Sequence, residues 1–428
     1  MNKELSSFAT RLRELISVSD DVRSLHSTGT GGDNNEPPHV GSYFENFNEL
    51  ALELFSLQFR HNSAYRKICE ARRLTPQDVE HWMQIPAVPT AAFKELELTC
   101  LAPDERTAVF HSSGTTEQKP SRHSHCAESL AIYEASLWAA FERHVWWSAD
   151  SLSASREAGT RGQAVRAPLL ILTPSPSQAP HSSLVHMFEV VRQKLGAPET
   201  VFLGQIGPDG AWTLDFAATL AALDDNSKLK TQNPKLLLGT AFSFVHLLDY
   251  LVERNLRLEL FTGSRVMETG GYKNRSRAMP KAELHALITE RLGVSRENII
   301  CEYGMSELSS QAYDGVRPSP GAATLNLRAA SDVRETSGKR ALLRPGRAHS
   351  GSGIFRFPPW SRVQIISPET GCEVAEGGTG LIRIFDLANM FSVMAIQTED
   401  LGVRRGDGFE LIGRAQQAEP RGCSLMAL

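Results

Sequence analysis

Apolar runs of strand length, alternating with helical repeats, most constrain how this chain folds. Leu169-Leu170-Ile171-Leu172 is one such run. Val185, Phe188, Val191 and Leu195 then recur at near-helical spacing, and Gly196 offers a left-handed helix cap. Val201-Phe202-Leu203 repeats the strand signal. Leu236-Leu237-Leu238 precedes a helical stretch at 242–254, and Arg265-Val266-Met267 precedes one whose Leu284, Leu287, Ile288 and Leu292 share a face. Asn298-Ile299-Ile300-Cys301 returns as a strand. Such alternation predicts parallel sheets covered by helices.

Other segments follow different rules. Leu5, Phe8, Leu12, Leu15 and Ile16 define an amino-terminal helical face. Residues 24–38 and 148–166 are polar and aperiodic, as flexible loops are, and helices are predicted near 44–62, 75–84 and 128–141. Beyond Gly353 come short apolar runs around Val363, Ile365 and Leu381-Ile382. Glu369-Thr370-Gly371, Gly377-Gly378-Thr379-Gly380 and Gly406-Asp407-Gly408 punctuate them, which predicts antiparallel β-structure.

With 428 residues the chain can build one large or two ordinary domains. A net charge of -4 gives no general reason to expect nucleic acid or an anionic membrane as partner. No segment reaches the roughly 20 apolar residues of a membrane span, and the acid-bearing amino terminus does not read as a signal peptide. Cysteines at 69, 100, 126, 301, 372 and 423 form no Cys-x-x-Cys pair, so a cytoplasmic protein with reduced thiols is expected.

Several motifs carry chemistry. His111-Ser112-Ser113-Gly114-Thr115-Thr116 follows the strand-like Ala108-Val109-Phe110. Its glycine permits close backbone approach, and its N–H and hydroxyl groups suit phosphate oxygens. A plain turn has the same composition. In Glu302-Tyr303-Gly304-Met305-Ser306-Glu307 a Tyr face can stack on a purine, and Glu307 can hold a hard cation. In isolation it also reads as a strand end with a solvated acid. Thr398-Glu399-Asp400 offers a carboxylate to ribose hydroxyls, with Arg414 fourteen residues on, or simply two surface charges.

Taken together, Ser-Ser-Gly-Thr-Thr, Tyr-Gly-x-Ser-Glu, Thr-x-Asp and Gly-Arg resemble, in order and spacing, the adenylate-forming superfamily of acyl-CoA synthetases, adenylation domains and luciferases. Within it, the stretch from Gly413-Arg414 to Arg421-Gly422-Cys423-Ser424-Leu425 resembles the LuxE-type acyl-protein synthetases, which are long-chain-fatty-acid–luciferin-component ligases. Thr269-Gly270-Gly271-Tyr272-Lys273 and Ser183-Leu184-Val185-His186-Met187 add to the likeness.

The resemblance implies an α/β fold: helix-covered, mostly parallel sheets plus a smaller distorted β-barrel, without a mobile C-terminal domain. It divides the chain into an N-terminal helix and loop (1–40), an adenylate-forming domain (41–414) and a tail (415–428) carrying Cys423. It implies ATP and Mg2+. Ser112, Ser113, Gly114, Thr115 and Thr116 would cradle the phosphates, with Thr116 and Glu307 at the metal. Gly270, Gly271, Tyr303 and Gly304 would border adenine, and Asp400 and Arg414 would hold ribose. Tyr272 and His186 would line the acyl pocket. The implied partners are a fatty carboxylic acid and an acyl-acceptor protein such as an acyl reductase.

The sequence departs from the superfamily pattern at three places. Glu117 stands where a glycine is usual, and Lys119-Pro120 reverses the usual Pro-Lys order. Glu399 replaces the glycine that usually precedes the ribose aspartate. The lysine of the superfamily's C-terminal domain has no counterpart, so Lys119, Arg421 or a partner residue would supply the cation. Cys423 is the expected nucleophile, because a thiolate on a terminal segment can collect an acyl group. It also reads as an idle tail cysteine, and Cys301 and Cys372, in strand-like segments, are weaker choices. His123, His125 and Cys126 resemble a metal set but lack a fourth ligand. Two rivals stand beside this reading: a phenylacetate-type acyl-CoA ligase, and a degenerate nucleotide-binding protein.

Overall fold

The computed structural model describes residues 2–25, 46–112, 119–146, 167–197, 200–208, 210–224, 233–270, 279–315 and 353–415. Early in the chain come strand β1 (Val88–Pro89) and the hairpin β2 (Ala108–His111) with β3 (Arg122–His125). The alternating region supplies β4 (Leu169–Ile171), β5 (Thr200–Phe202), the small hairpin β6 (Gly204–Ile206) and β7 (Trp212–Leu214), and then β8 (Leu236–Thr240), β9 (Arg265–Thr269), β10 (Ile299–Tyr303) and β11 (Ala312–Tyr313). The last part holds β12 (Ile354–Phe355), β13 (Ser361–Ile366), β14 (Thr379–Asp386), β15 (Ala395–Arg405) and β16 (Gly408–Arg414).

One sheet runs β11-β10-β9-β8-β4-β5. Its strands are parallel except β11, which returns antiparallel beside β10. Side chains alternate across it. Leu169, Ile171, Leu236, Leu238 and Met267 join Phe141, Phe188 and Val191 in one core, whereas Leu170, Leu172, Leu237 and Val266 join Phe244, Leu248 and Ile288 in another. Helices therefore cover both faces, which is why these strands read as unbroken apolar runs. The helix Ser183–Leu195 is closed by Gly196 at φ 52, a left-handed position that suits glycine.

A second sheet runs β12-β16-β15-β14-β13 and is antiparallel, with β1 added parallel to β15. It packs Phe355, Ile382, Ile384, Phe385 and Phe409 into a third core. The amino-terminal helix Lys3–Leu25 buries Leu5, Phe8, Leu12 and Ile16 there too. Among the described residues no helix is long and apolar enough to cross a membrane.

One helix expectation fails. Residues 75–84 form turns and a single 3-10 turn at Trp82–Gln84. The Asp78 carboxylate accepts from both the N–H and the hydroxyl of Thr75, and the Gln84 side chain accepts the N–H groups of Glu80 and His81. Local side-chain bonds there replace the helical ladder. A helix not foreseen, Ser63–Ala71, instead starts where the Asn62 side chain accepts from Tyr65 N–H. Of the loops expected at 24–38 and 148–166, only Ser24 and Leu25 are described, and they end the amino-terminal helix; the rest lies outside the described residues.

Candidate active site

The hairpin β2–β3 sets the first part of the site. Ser112 N–H donates to the Ser121 carbonyl at 3.2 Å, and Ser121 N–H donates to Ser112 Oγ at 2.9 Å. This pair flanks the stretch that holds Ser113, Gly114, Thr115 and Thr116, which lie outside the described residues. The Ser121 hydroxyl donates to Glu307 Oε1 at 2.5 Å, and the Ser306 hydroxyl donates to Oε2 at 3.0 Å. Asn389 Nδ2 donates to the Glu307 carbonyl at 2.8 Å. His123 Nδ1 lies 2.8 Å from the Ser306 carbonyl, which fixes Nδ1 as the protonated nitrogen. Burial pushes His123 down to about 4 against that hydrogen bond, so its ring is neutral near pH 7. Ser121 and Glu307 therefore meet across a separation of 186 residues, and Ser121 ties the start of the Ser-Gly-Thr motif to Glu307 through Ser112.

The end of β10 sets the second part. The Tyr303 hydroxyl donates to Asp400 Oδ2 at 2.8 Å. Burial, then the Asp400 charge, push the phenol well above its ordinary range, so it stays protonated and donating. Phe409, Phe355 and Phe357 surround the Tyr303 ring edge-on at 5.2, 6.0 and 6.3 Å. Arg414, paired with Asp400 across β15 and β16, reaches Oδ1 at 3.8 Å and is largely exposed.

The residue before Tyr303 in β10 is Glu302, which is buried. The Thr269 hydroxyl donates to its Oε2. Burial pushes Glu302 up to about 7, the Thr269 bond opposes, and the nearby Glu268 adds to the rise. Gly304 packs against it: a Cβ there would sit 2.3 Å from Glu302 Oε1 and displace the carboxyl. Gly270, which follows Thr269, has φ +74 and so also suits glycine.

Other expected residues fall as follows. Gly271, Tyr272 and Cys423 lie outside the described residues. His186 sits on the helix Ser183–Leu195 with Nε2 3.1 Å from Glu134 Oε1, and its ring is 5.3 Å from Phe110 and 5.8 Å from Tyr133. Lys119 extends to Glu95 at 3.7 Å on the surface. Cys301 does lie in a strand, where burial pushes its thiol well above the ordinary range. Cys372 does not; it is exposed in a turn beside Gly371, whose φ of 70 breaks the strand. His123 and His125 lie on β3, and Cys126 accepts from Ser129 N–H at the next helix start. Sequence reasoning missed Ser121, Ser306 and Tyr133, and it gave Glu302 no role. The one sequence signal for Ser121, Ser306 and Glu302 is that they lie in or near the motifs; Tyr133, within the helix Ala127–His144, has none.

The donor set suits magnesium. Glu307 and the neighbouring hydroxyls offer hard oxygen ligands. The described residues contain no cluster of three His, Cys, Asp or Glu groups able to hold a metal. A site with one carboxylate fits an ion that takes its remaining ligands from water and substrate phosphates.

No protein-family model matches the chain, and no curated protein matches it by sequence. Solved structures do. An open conformation of a 2-hydroxyisobutyryl-CoA ligase in complex with 2-HIB-AMP and CoA aligns with a TM-score of 0.56 at 12% identity, over 90% of this chain and 75% of that one. The same ligase in the postadenylation state with 2-HIB-AMP aligns with a TM-score of 0.57 at 12% identity, over 90% and 73%. The likeness is one of fold. This chain has the mixed α/β architecture with a half-barrel found in adenylate-forming ligases, as its motifs led us to expect.

Proposed function

We propose that this protein activates a carboxylic acid with ATP and passes the acyl group to a thiol. A carboxylate oxygen attacks the α-phosphorus, the bond to the bridging oxygen breaks, and acyl-AMP and pyrophosphate form. The supporting observation is the convergence of Ser112, Ser121 and Glu307, beside Tyr303 bonded to Asp400. In this reading Ser112 to Thr116 cradle the phosphates, and Gly270, Gly271, Tyr303 and Gly304 border adenine. Asp400 and Arg414 hold ribose, and His186 and Tyr272 line the acid. Thr116 and Glu307 would hold magnesium, which when bound neutralises phosphate charge. Lys119, held near Glu95 on the surface, is one cation able to reach the phosphates; Arg421 is another.

The Cys423 thiolate then attacks the acyl carbon, AMP leaves, and a thioester forms for delivery to an acceptor protein. The LuxE-type resemblance supports this second half and implies a fatty acid. A second reading has coenzyme A as the acceptor, and the fold neighbour bound to 2-HIB-AMP and CoA favours it. Acid-dependent ATP–pyrophosphate exchange tests the first half: no exchange with any acid refutes it. Labelled acid separates the acceptors. Protein-bound label lost in Cys423→Ser marks the cysteine route, and released acyl-CoA without protein label marks the other.

A further inference from the structure

Beside the candidate nucleotide site, a buried polar patch surrounds Tyr133. Glu302 and Tyr313 are direct partners across β10 and β11, and Thr269 is Glu302's partner in β9. Partners across a ladder project to one face, and Gln311, two residues before Tyr313, shares it. Glu302 and Gln311 converge on Gly304: a Cβ there would meet Glu302 Oε1 at 2.3 Å and Gln311 Cγ at 3.4 Å. From the opposite side, the helix Ala127–His144 contributes Tyr133, whose ring lies 5.9 Å from His125 and whose phenol feels the Glu302 charge.

Three polar atoms of this patch have no hydrogen-bond partner among the described residues: His125 Nε2, Gln311 Oε1 and the Tyr313 hydroxyl. Their residues are only 1%, 4% and 1% exposed. The tautomer of His125 follows from its neighbours. Ser129 Oγ accepts from Cys126 N–H and donates to the Cys126 carbonyl, so it is left to accept from His125 Nδ1 at 3.2 Å. His125 Nε2 is then a bare lone pair. Gln311 Oε1 is an acceptor, and Glu302 Oε1 is a further carboxyl oxygen beyond the one Thr269 occupies. Two of the three unpartnered atoms, His125 Nε2 and Gln311 Oε1, can therefore only accept, and the Tyr313 hydroxyl can accept or donate. Burying each such group unpaired costs about 1–3 kcal/mol, which a plain methylene chain would not relieve.

We infer that the acid taken by this site carries hydrogen-bond donors, hydroxyl or amino groups, that meet His125, Glu302, Gln311 and Tyr313. The inference rests on the acid-activating reading above and sets this site apart from one built for an unsubstituted fatty chain. Sites built to hydrogen-bond a substrate group reject analogues that lack it far more strongly than apolar pockets reject small size changes.

The test compares butanoic, hydroxybutanoic, aminobutanoic and dodecanoic acids in ATP–pyrophosphate exchange. A substituted acid is expected to exceed both unsubstituted acids by roughly 100-fold in kcat/KM. The hydroxy and amino arms identify the donor. Gln311→Met and Tyr313→Phe each shrink that ratio about tenfold, with melting temperatures no lower than wild type, because each removes an unpartnered polar atom. Equal or better use of butanoic or dodecanoic acid overturns the inference, as does an unchanged ratio in both variants. If no acid supports exchange, equilibrium dialysis with labelled acids decides. Binding of a substituted acid that both variants lose upholds the patch while refuting acid activation; no binding by any acid overturns both.

Discussion

Replacing Glu302 with Gln isolates the energetic consequence of burying an acid in the β-sheet core. Glu302 accepts from Thr269, acts on Tyr133 and Tyr313 through its charge, and lies near the second buried acid, Glu268, on the adjacent strand. Its proton affinity is raised from the ordinary 4.5 to about 7, first by burial and then by Glu268. A raised value means the folded state binds the proton more tightly than the unfolded chain. The stability it contributes is thus complete below 4.5 and is lost as pH rises through 7. At about 1.36 kcal/mol for each pH unit, the full loss is about 3 kcal/mol, most of it between pH 5 and pH 8. The amide introduced by Glu302→Gln would be neutral throughout and would still accept from Thr269 through its carbonyl oxygen. Urea unfolding of both proteins at pH 5, 6, 7 and 8 measures the difference. Wild type should lose about 2–3 kcal/mol relative to Glu302→Gln across that range. Parallel profiles would show that Glu302 is ionised normally in the fold and would refute the reasoning.

Asp386 accepts from Ser309 N–H, Ser310 Oγ, Ser361 Oγ and Ala388 N–H while fully buried. Asp386→Ala should cost about 3 kcal/mol or more in chemical denaturation, because four donors are left unpaired. Tyr303→Phe deletes the bond to Asp400; it should cost about 1 kcal/mol of stability and raise KM for ATP with little change in kcat. Glu307→Gln should raise the magnesium needed for half-maximal exchange by about tenfold, read from a magnesium titration; an unchanged midpoint would remove Glu307 from that role. Phe409 is fully buried, 5.2 Å from Tyr303 and stacked on Phe355 at 5.5 Å. Phe409→Ala should cost about 3–5 kcal/mol and raise KM for ATP, whereas Phe409→Leu should largely retain both.

The parallel sheet was legible because its strands are covered on both sides and so lack polar interruptions. Leu169-Leu170-Ile171 and Leu236-Leu237-Leu238 could scarcely be anything but buried. Residues 75–84 were misread because their turns depend on which side chain captures which N–H, as Asp78 and Gln84 do. The same division holds for the site. Glu307, Tyr303 and Asp400 stood out through spacing within short motifs. Ser121 and Asn389 did not, since what gives them meaning is contact with Glu307 over separations of 186 and 82 residues. Glu302 was visible but mute, as its environment comes from Thr269 on a neighbouring strand and Tyr133 on a covering helix.

Strand direction explains why these groups gather at one place. β8, β9 and β10 run parallel, so Thr240, Thr269 and Tyr303 all emerge at their carboxyl ends, the edge where open α/β sheets bind ligands. Gly270 and Gly304 follow two of these ends; Gly270 leaves open space beside the backbone, and Gly304 lets the Glu302 carboxyl lie against it. The second sheet then closes the arrangement from the side, with β15 carrying Asp400 to the Tyr303 hydroxyl. Neither sheet alone holds both groups. The distance between them is set by the aromatic seam of Phe355, Phe357 and Phe409 rather than by any one loop. A site assembled across two sheets in this way inherits its geometry from core packing, so loss of packing in the seam should weaken nucleotide binding even where every polar group is retained.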